Sequence, residues 1–192
     1  MKNIAALLAL TLLAGCGTSG TWGWYVIDPT TPNGWNNITF LLNGFGATIL
    51  LSVIAAVMSM VIGLMVALPG MSSNRWIRLP SRIYIEFVRA IPLLPMLFWV
   101  FYGLPVVLKS MGISVSIDAF WGAVITLAIS DSAFTAEIYR SGIQSIARGQ
   151  TEAAKTIGLT YSQTMRYVIL PQAIRRILPP LANQFIYIVK MS

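Results

Sequence analysis

The chain has 192 residues, of which 56% are hydrophobic and only 10% are charged. Typical globular proteins are about 25% charged, and the mean hydropathy here is +0.74, so the polar side chains are too few to cover a water-exposed surface. The absence of histidine and the single cysteine exclude histidine-based catalysis, clustered-cysteine metal sites and intrachain disulfides. The chain also lacks the phosphate-binding loop of ATPases. We therefore expect an integral membrane protein that is not an enzyme and holds no metal or other cofactor.

The first 16 residues are typical of an export signal. Lys2 precedes an apolar run over 4–13, which is too short to span a membrane. The four residues that end at Cys16 (Leu-Ala-Gly-Cys) resemble the lipobox of bacterial lipoproteins, in which cleavage leaves the cysteine lipidated. The alternative is an uncleaved apolar leader with an incidental cysteine. In both cases residues 17–43 are expected outside the cytoplasm.

Four apolar stretches follow, and we expect each to lie in a membrane-spanning helix. They cover residues 45–68, 90–108 with a backward extension over 83–88, 119–136 with Asp131 inside it, and 177–189. The last reaches only about 20 Å at 1.5 Å per residue, against a hydrocarbon core of about 30 Å. We therefore expect the chain to be a fragment that ends within its fourth span.

Basic residues alternate between the connections and predict the orientation. They lie after the first span (Arg75, Arg78, Arg82) and after the third (Arg140, Arg148, Lys155, Arg166, Arg175, Arg176), whereas the second connection has only Lys109, balanced by Asp118. Because basic loops stay in the cytoplasm, the first and third connections are predicted to be cytoplasmic and the N-terminus outside. The net charge of +7 is explained by this orientation and does not indicate a nucleic-acid partner.

The third connection, residues 141–178, has a sharply punctuated pattern. Residues 152–157 favour a helix, and Gly158 follows where a left-handed C-terminal cap belongs. Thr160 and Gln163 form the pattern of a capping box at the start of a second helix. A merely solvated connector would not need this apolar, capped pattern, so we favour a docking surface.

Five prolines predict where helices begin, end or break. The second helix of the long connection should stop before Pro171, because the residue ahead of a proline avoids the helical region. Pro179 and Pro180 fit the first turn of the fourth spanning helix. Pro92 and Pro95 should interrupt the second span, and broken membrane helices are tolerated beside protein or water. That region is therefore expected to border a translocation path.

The residues of the long connection resemble the EAA motif of bacterial ABC-importer permeases. The motif consists of Glu152, Ala153, Ala154, Gly158, Ile169, Leu170 and Pro171. The resemblance extends to 132–140 and 84–105 and covers roughly residues 41–192. Within the family, the surrounding sequence is similar to importers of polar amino acids such as histidine, glutamine, arginine and glutamate.

The resemblance implies an all-α, polytopic transmembrane bundle over residues 44–192 in a bacterial inner membrane. Such a permease forms the path for a polar amino acid and works with a second permease, identical or different. Two ATP-binding subunits hold the ATP and Mg, and a substrate-binding protein acts outside. The EAA loop, 141–178, would form a coupling helix that docks on the ATP-binding subunit. Glu152 would meet basic groups there, or would only offset the charge at a helix N-terminus.

The chain departs from the family pattern at several points. Arg89-Ala90-Ile91-Pro92 replaces the common Arg-Gly-Thr-Pro, and Asp131 stands where small or aromatic residues are usual. The final part of the family's sequence is absent, and the lipobox-like leader is unusual for a permease.

Four charged residues in or near the spans, Glu86, Arg89, Asp131 and Glu137, are candidates for the substrate path. Glu86 and Arg89 are three apart on one helix, as are Glu137 and Arg140, so each pair can form locally or can touch substrate. Asp131 lies about two turns deeper, where an ionisable group suggests a function. It either bonds to a neighbouring helix or contacts the ammonium group or side chain of a substrate.

Two other classes of protein are compatible with parts of the sequence. One is a lipid-anchored membrane protein with a binding or structural role, in which the helices serve as scaffold. The other is a secondary transporter or channel, which an inverted repeat of the spans would support, but no convincing repeat is found. The EAA pattern speaks against both.

Overall fold

The computed structural model describes residues 24–192, and within that range the chain forms helices and no strands. A short 3-10 helix, Trp24–Ile27, precedes seven α-helices. They are α1 (Pro32–Gly70), α2 (Arg75–Ala90), α3 (Leu93–Ser110, with a π-helical turn at Trp99–Gly103), α4 (Ala119–Gln144), α5 (Arg148–Thr156), α6 (Tyr161–Thr164) and α7 (Leu170–Met191), with a second π-helical turn, Met165–Ile169, between α6 and α7. The predicted all-α membrane fold is confirmed. Among the described helices, α1, α3 and α4 are long and apolar enough to cross a membrane.

The chain divides into two compact units, with the boundary in the sequence between Phe45 and Gly46. In the described part of the first, Asp28 accepts hydrogen bonds from the backbone N–H of Thr30 at 2.9 Å and from its hydroxyl at 2.7 Å. These bonds hold the pKa of Asp28 below its usual value. The predicted leader and Cys16 lie outside the described residues.

Small residues bring the helices of the second unit together. Ala128, Ala133 and Ala136 of α4 are fully buried. Gly63 of α1 approaches α4 so closely that an added Cβ would lie 2.9 Å from the Cγ2 of Thr135. Close backbone approach through small side chains is the usual way in which membrane helices associate. The opposite side of α1 is apolar and exposed, as a lipid-facing surface requires (Leu50, Val57, Val61, Met65, Leu68).

The second predicted span is shorter than expected at its beginning. The backward extension over residues 83–88 is wrong, because α2 ends at Ala90 and Ile91 is extended, with φ −88° and ψ 122°. Pro92 imposes this break, since its ring disfavours the helical region for the residue before it. The predicted interruption at Pro92 is confirmed, whereas Pro95 lies within the first turn of α3.

Two proline predictions near the fourth span are wrong. The helix that begins at Tyr161 does not stop before Pro171 but continues through the π-helical turn into α7. There the N–H of Leu170 donates to the carbonyl of Met165, five residues back. This wider turn lies directly before the proline ring and accommodates it. Pro179 and Pro180 consequently lie inside α7 rather than in its first turn.

Candidate functional site

Glu152, Ala153 and Ala154 lie on α5, which a tight left-handed turn at Gly158 joins to α6. The remaining EAA residues lie at the end of the second π-helical turn and the start of α7 (Ile169, Leu170, Pro171). Gly158 has φ +82°, and its N–H donates to the carbonyl of Lys155 at 3.0 Å. The N–H of Leu159 donates to the carbonyl of Ala154 at 3.1 Å. This pair of bonds is a Schellman motif, so the predicted left-handed cap of α5 is confirmed. An added Cβ would meet nothing within 4 Å, so it is the backbone conformation that demands glycine.

The predicted capping box at the start of α6 is also present. The backbone N–H of Thr160 donates to Oε1 of Gln163 at 2.9 Å, and the N–H of Gln163 donates to the hydroxyl of Thr160 at 3.4 Å. The two caps fix the direction in which the chain leaves α5 and enters α6.

The EAA residues divide into an exposed group and a buried group. Glu152, Ala153, Gly158 and Pro171 are exposed, and Leu170 is partly so; Ala154 and Ile169 are buried at 3% and 6% exposure. Two exposed apolar side chains flank the turn and were not singled out from the sequence: Ile157 at 76% and Tyr161 at 74%. The sequence signal that could have identified them is an apolar residue within an otherwise polar stretch. We call Glu152, Ile157 and Tyr161 the loop patch.

The buried residues fasten this loop to the long helices. Ile169 packs with Ile146, Ala173 and Ile177 in one apolar cluster. Arg176 of α7 donates to the backbone carbonyl of Ser145 at 2.6 Å, just after the end of α4. A displacement of the loop would therefore act directly on α4 and α7.

Asp131 lies in a polar cluster that joins three helices. Its carboxylate accepts hydrogen bonds from Ser59 of α1, from Gln184 of α7 and, at 3.1 Å, from Thr135 of α4. The side chain is 5% exposed. Of the two roles that the sequence allowed, this conformation shows bonding to neighbouring helices. Ser59 and Gln184 were missed from the sequence, although isolated polar residues in apolar spans are typical interhelical hydrogen-bonding partners.

All the groups that bond to Asp131 are neutral. Among the described residues, the salt bridge that is present joins Glu137 and Arg140, six and nine positions further along α4. Next to Asp131, the hydroxyl of Ser132 forms a hydrogen bond of 2.7 Å with the hydroxyl of Tyr84 on α2. Asp131 thus places a carboxylate among the buried helices without a basic partner.

The other three path candidates, Glu86, Arg89 and Glu137, line a single cleft between α2 and α4. It has a volume of about 250 Å³ and is also lined by Arg82 and Arg140. Asp131 is not among its lining residues. Within the cleft, Nε of Arg140 donates to Glu137 at 2.8 Å, so the predicted pair on α4 is confirmed.

The predicted local pair between Glu86 and Arg89 does not form. The guanidinium of Arg89 instead lies 5.0 Å from the ring centre of Phe134 on α4. An exposed ion pair contributes only about 0–1 kcal/mol, so a cation–π contact worth about 0.5–1 kcal/mol can take its place. Glu86 therefore remains available in the cleft.

The described residues contain no group of three or more His, Cys, Asp or Glu side chains arranged to hold a metal ion.

Comparison with known proteins identifies the family. Residues 59–192 match the family described as binding-protein-dependent transport system inner membrane component. The chain is 42% identical over 157 residues to the probable glutamine ABC transporter permease protein GlnM of Bacillus subtilis, which covers 82% of this chain and 70% of that protein. It is 40% identical to the probable amino-acid ABC transporter permease protein YckA of Bacillus subtilis, which covers 80% of this chain and 65% of that protein.

A solved structure shows the same architecture. The structure described as an amino acid ABC transporter with histidines is 41% identical, with a TM-score of 0.73 over 81% of this chain and 70% of that one. Permease subunits of such transporters are not themselves enzymes, because a partner ATPase carries out the hydrolysis. The chain therefore belongs to the binding-protein-dependent transport system inner membrane component family, as a permease of the amino-acid ABC transporter type.

Proposed function

We propose that this chain is one of two permeases that form the translocation path of an ATP-driven importer for polar amino acids. Two ATP-binding subunits, which hold the ATP and Mg, would act on the cytoplasmic side, and a substrate-binding protein would deliver the amino acid outside. The observation that carries the proposal is the double-capped loop of α5, Gly158 and α6. Its geometry suits a rigid element that is pushed by a partner.

The loop patch would form the contact with the ATP-binding subunit. Ile157 and Tyr161 offer apolar surface on both sides of the turn, and Glu152 adds a negative charge that suits a basic partner. Ala154 and Ile169 would support the loop from beneath rather than touch the partner, since they are buried. Movement of the loop would pass to α4 and α7 through the cluster around Ile169.

The substrate path would run past the cleft between α2 and α4. The cleft places Glu86 close to Arg82 and Arg89, so it offers opposite charges to the ammonium and carboxylate groups of an amino acid. Because Glu137 and Arg140 form a salt bridge with each other, the charged side chains of the cleft that would meet a substrate are those of Arg82, Glu86 and Arg89.

Asp131 would contribute to the path in a second conformation. Its carboxylate is enclosed by donors in the present one, but no basic side chain neutralises it. A carboxylate in a low-dielectric site attracts an ammonium group strongly. Substrate contact would require Gln184 to release Asp131, which a movement of α7 relative to α4 would achieve.

Reconstitution in lipid vesicles tests the proposal. The full-length permease, its co-expressed ATP-binding subunit and the substrate-binding protein would be incorporated, and ATP-dependent uptake of labelled glutamine, histidine and arginine would be measured. We expect uptake of at least one of these amino acids that stops when ATP is omitted. Failure of the permease to retain the ATP-binding subunit, or uptake that continues unchanged without ATP, would overturn it.

A further inference from the structure

Helix α2 has three different faces, of which only one is covered by the other described residues. Ser81, Ile85 and Val88 form this buried face, at spacings of four and three residues that place them on one side of a helix. The helix has 16 residues and is therefore about 24 Å long at 1.5 Å per residue. It is too short and too highly charged to cross the hydrocarbon core on its own.

The second face of α2 is apolar and exposed along the whole helix. Its four large side chains are 40–81% exposed and follow one another at spacings of three and four residues (Trp76, Leu79, Ile83, Phe87). A continuous exposed apolar surface of this kind marks contact with a membrane or with another protein. Trp76, near the start of the helix, is of the residue type that is enriched where a membrane meets water.

The third face of α2 is basic. Arg75, Arg78 and Arg82 are three and four residues apart, so they lie in one row, next to the apolar face. Arg75 and Arg82 are exposed and Arg78 is partly exposed. Within residues 24–192, the salt bridge that is present joins Glu137 and Arg140 and involves none of the three. The basic face is therefore available to an anionic partner.

Contacts with α1 place α2 at the surface of the membrane. The hydroxyl of Ser81 donates to the carbonyl of Val66 at 2.7 Å, and an added Cβ on Gly70 would lie 2.7 Å from the same hydroxyl. The apolar stretch over 45–68 ends between Val66 and Gly70, so Ser81 lies where the hydrocarbon core meets the headgroups. Short helices with a basic face and an apolar face that includes tryptophan lie in this layer.

We propose that α2 binds anionic phospholipid, with its apolar face among the acyl chains and its three arginines on the phosphates. Guanidinium groups bind phosphate oxygens with paired hydrogen bonds. A phospholipid presents a phosphate and an acyl chain side by side, which matches the adjacent basic and apolar faces. Because Glu86 and Arg89 of the α2–α4 cleft lie on the same helix, a bound lipid would also hold one wall of that cleft in place.

Quenching by spin-labelled lipids tests the proposal on the full-length permease. In a Cys16→Ser background, Ile83→Cys would carry a fluorescent label on the apolar face. The protein would be reconstituted in phosphatidylcholine vesicles that contain phosphatidylglycerol or phosphatidylcholine with spin-labelled acyl chains. We expect both lipids to quench the label, and phosphatidylglycerol to quench it more strongly because of the arginines. The same label at Gln150→Cys, an exposed position on α5, should be quenched by neither.

Substitutions of the arginines test the selection of the headgroup. The double change Arg75→Gln with Arg78→Gln should reduce the preference for phosphatidylglycerol about fivefold for each arginine removed. Arg82 is retained because it also lines the cleft. The change Arg75→Lys with Arg78→Lys keeps the charge and should keep most of the preference. Arg148→Gln with Lys155→Gln is the matched control, since it removes the same charge from α5 and should leave the preference unchanged.

Several outcomes would overturn the proposal. A label at position 83 that no lipid quenches would show that a protein surface, such as a second permease, covers the apolar face. Equal quenching by the two lipids, or an equal loss of preference in the α5 control, would show that the arginines of α2 do not select the headgroup. Complete displacement of phosphatidylglycerol by soluble glycerol phosphate would show that they bind a free phosphate and not a lipid.

Discussion

The conformation of the loop depends on glycine at position 158. The backbone conformation of Gly158, and not contact with neighbouring atoms, disfavours other side chains there. At φ +82° a Cβ crowds the following carbonyl and costs about 1 kcal/mol or more, and β-branched residues fit worst. The substitution Gly158→Val should therefore re-aim α5 relative to α6. We expect normal membrane insertion, loss of ATP-dependent uptake and weaker co-purification of the ATP-binding subunit.

Gly112 offers a closely matched control for this prediction. It ends α3 with the same geometry: φ is +84°, its N–H donates to Lys109 at 3.0 Å and that of Ile113 donates to Leu108 at 2.9 Å. Gly112→Val should introduce the same strain in a different connection and leave the ATP-binding subunit bound. Equal retention of that subunit by both valine variants would contradict a coupling role for the Gly158 turn.

Asp131 is a residue for which hydrogen-bond complementarity predicts a measurable effect. The substitution Asp131→Asn removes the negative charge to which Ser59, Thr135 and Gln184 donate, so three charge-assisted hydrogen bonds become weaker, neutral ones. Because hydrogen bonds between membrane helices contribute up to about 1.7 kcal/mol, the thermal midpoint of the permease should fall by the equivalent of about 1–2 kcal/mol. An unchanged midpoint would show that the cluster does not stabilise the helices.

A compensating change at Gln184 separates stability from transport. In the double variant Asp131→Asn with Gln184→Glu, the new amide can donate to the new carboxylate, so the midpoint should recover. Uptake kinetics then decide the proposed second role. Restored stability with an increased KM would show that transport needs the negative charge at position 131 itself. Full recovery of uptake would show that Asp131 serves only to link the helices.

The close approach of helices α1 and α4 predicts that alanine in place of Gly63 destabilises the permease. The substitution Gly63→Ala would bring its Cβ to 2.9 Å from Thr135 and 3.1 Å from the backbone nitrogen of Ala136. Backbone cannot move aside as a flexible side chain can, so we expect a cost of about 1–3 kcal/mol. Thermal unfolding of the solubilised permease measures it.

Gly46, in the same helix, supplies the comparison. An added Cβ at this position meets nothing within 4 Å, so Gly46→Ala should be neutral or should stabilise α1 by up to about 1 kcal/mol through helix propensity. If both alanine variants behave alike, the packing of Gly63 against α4 does not hold the helices together.

The sequence correctly predicted the helix ends that depend only on neighbouring residues. The cap at Gly158, the capping box at Thr160 and the break at Pro92 depend on residues within a few positions of one another, and all three are present. The prolines of α7 were misplaced because a π-helical turn adapts the helix to Pro171. The turn continues the helix at a position where the rule for residues before proline predicts an end.

The candidate site was less predictable than the helices because its contacts join distant parts of the chain. The sequence singled out Asp131 by its depth in an apolar run, yet its partners Ser59 and Gln184 are 72 and 53 positions away. In the same way, Arg89 was expected to pair with its neighbour Glu86 but lies against Phe134 on another helix. Spacing along one helix cannot reveal a competing partner on the next.

The orientation of the chain in the membrane stays a prediction and rests on the distribution of positive charge. Nine of the 13 basic residues follow the first span or lie at and after the end of the third (Arg75, Arg78, Arg82, Arg140, Arg148, Lys155, Arg166, Arg175, Arg176), whereas the second connection has only Lys109, balanced by Asp118. Since basic segments stay in the cytoplasm, α5 and α6 should face inward and residues 111–118 outward. The proposed docking of an ATP-binding subunit requires this same orientation.

Cysteine labelling in intact cells tests the orientation with one exposed position on each side. In a Cys16→Ser background, Gln150→Cys in α5 and Ser114→Cys in the second connection would be treated with a membrane-impermeant maleimide. We expect labelling of position 114 in intact cells and of position 150 only after the membrane is opened, because both residues are exposed in the structure and differ only in the side they face. Labelling of position 150 in intact cells would show that the topology is the reverse of the predicted one. The loop patch would then lie outside and could not contact a cytoplasmic ATPase.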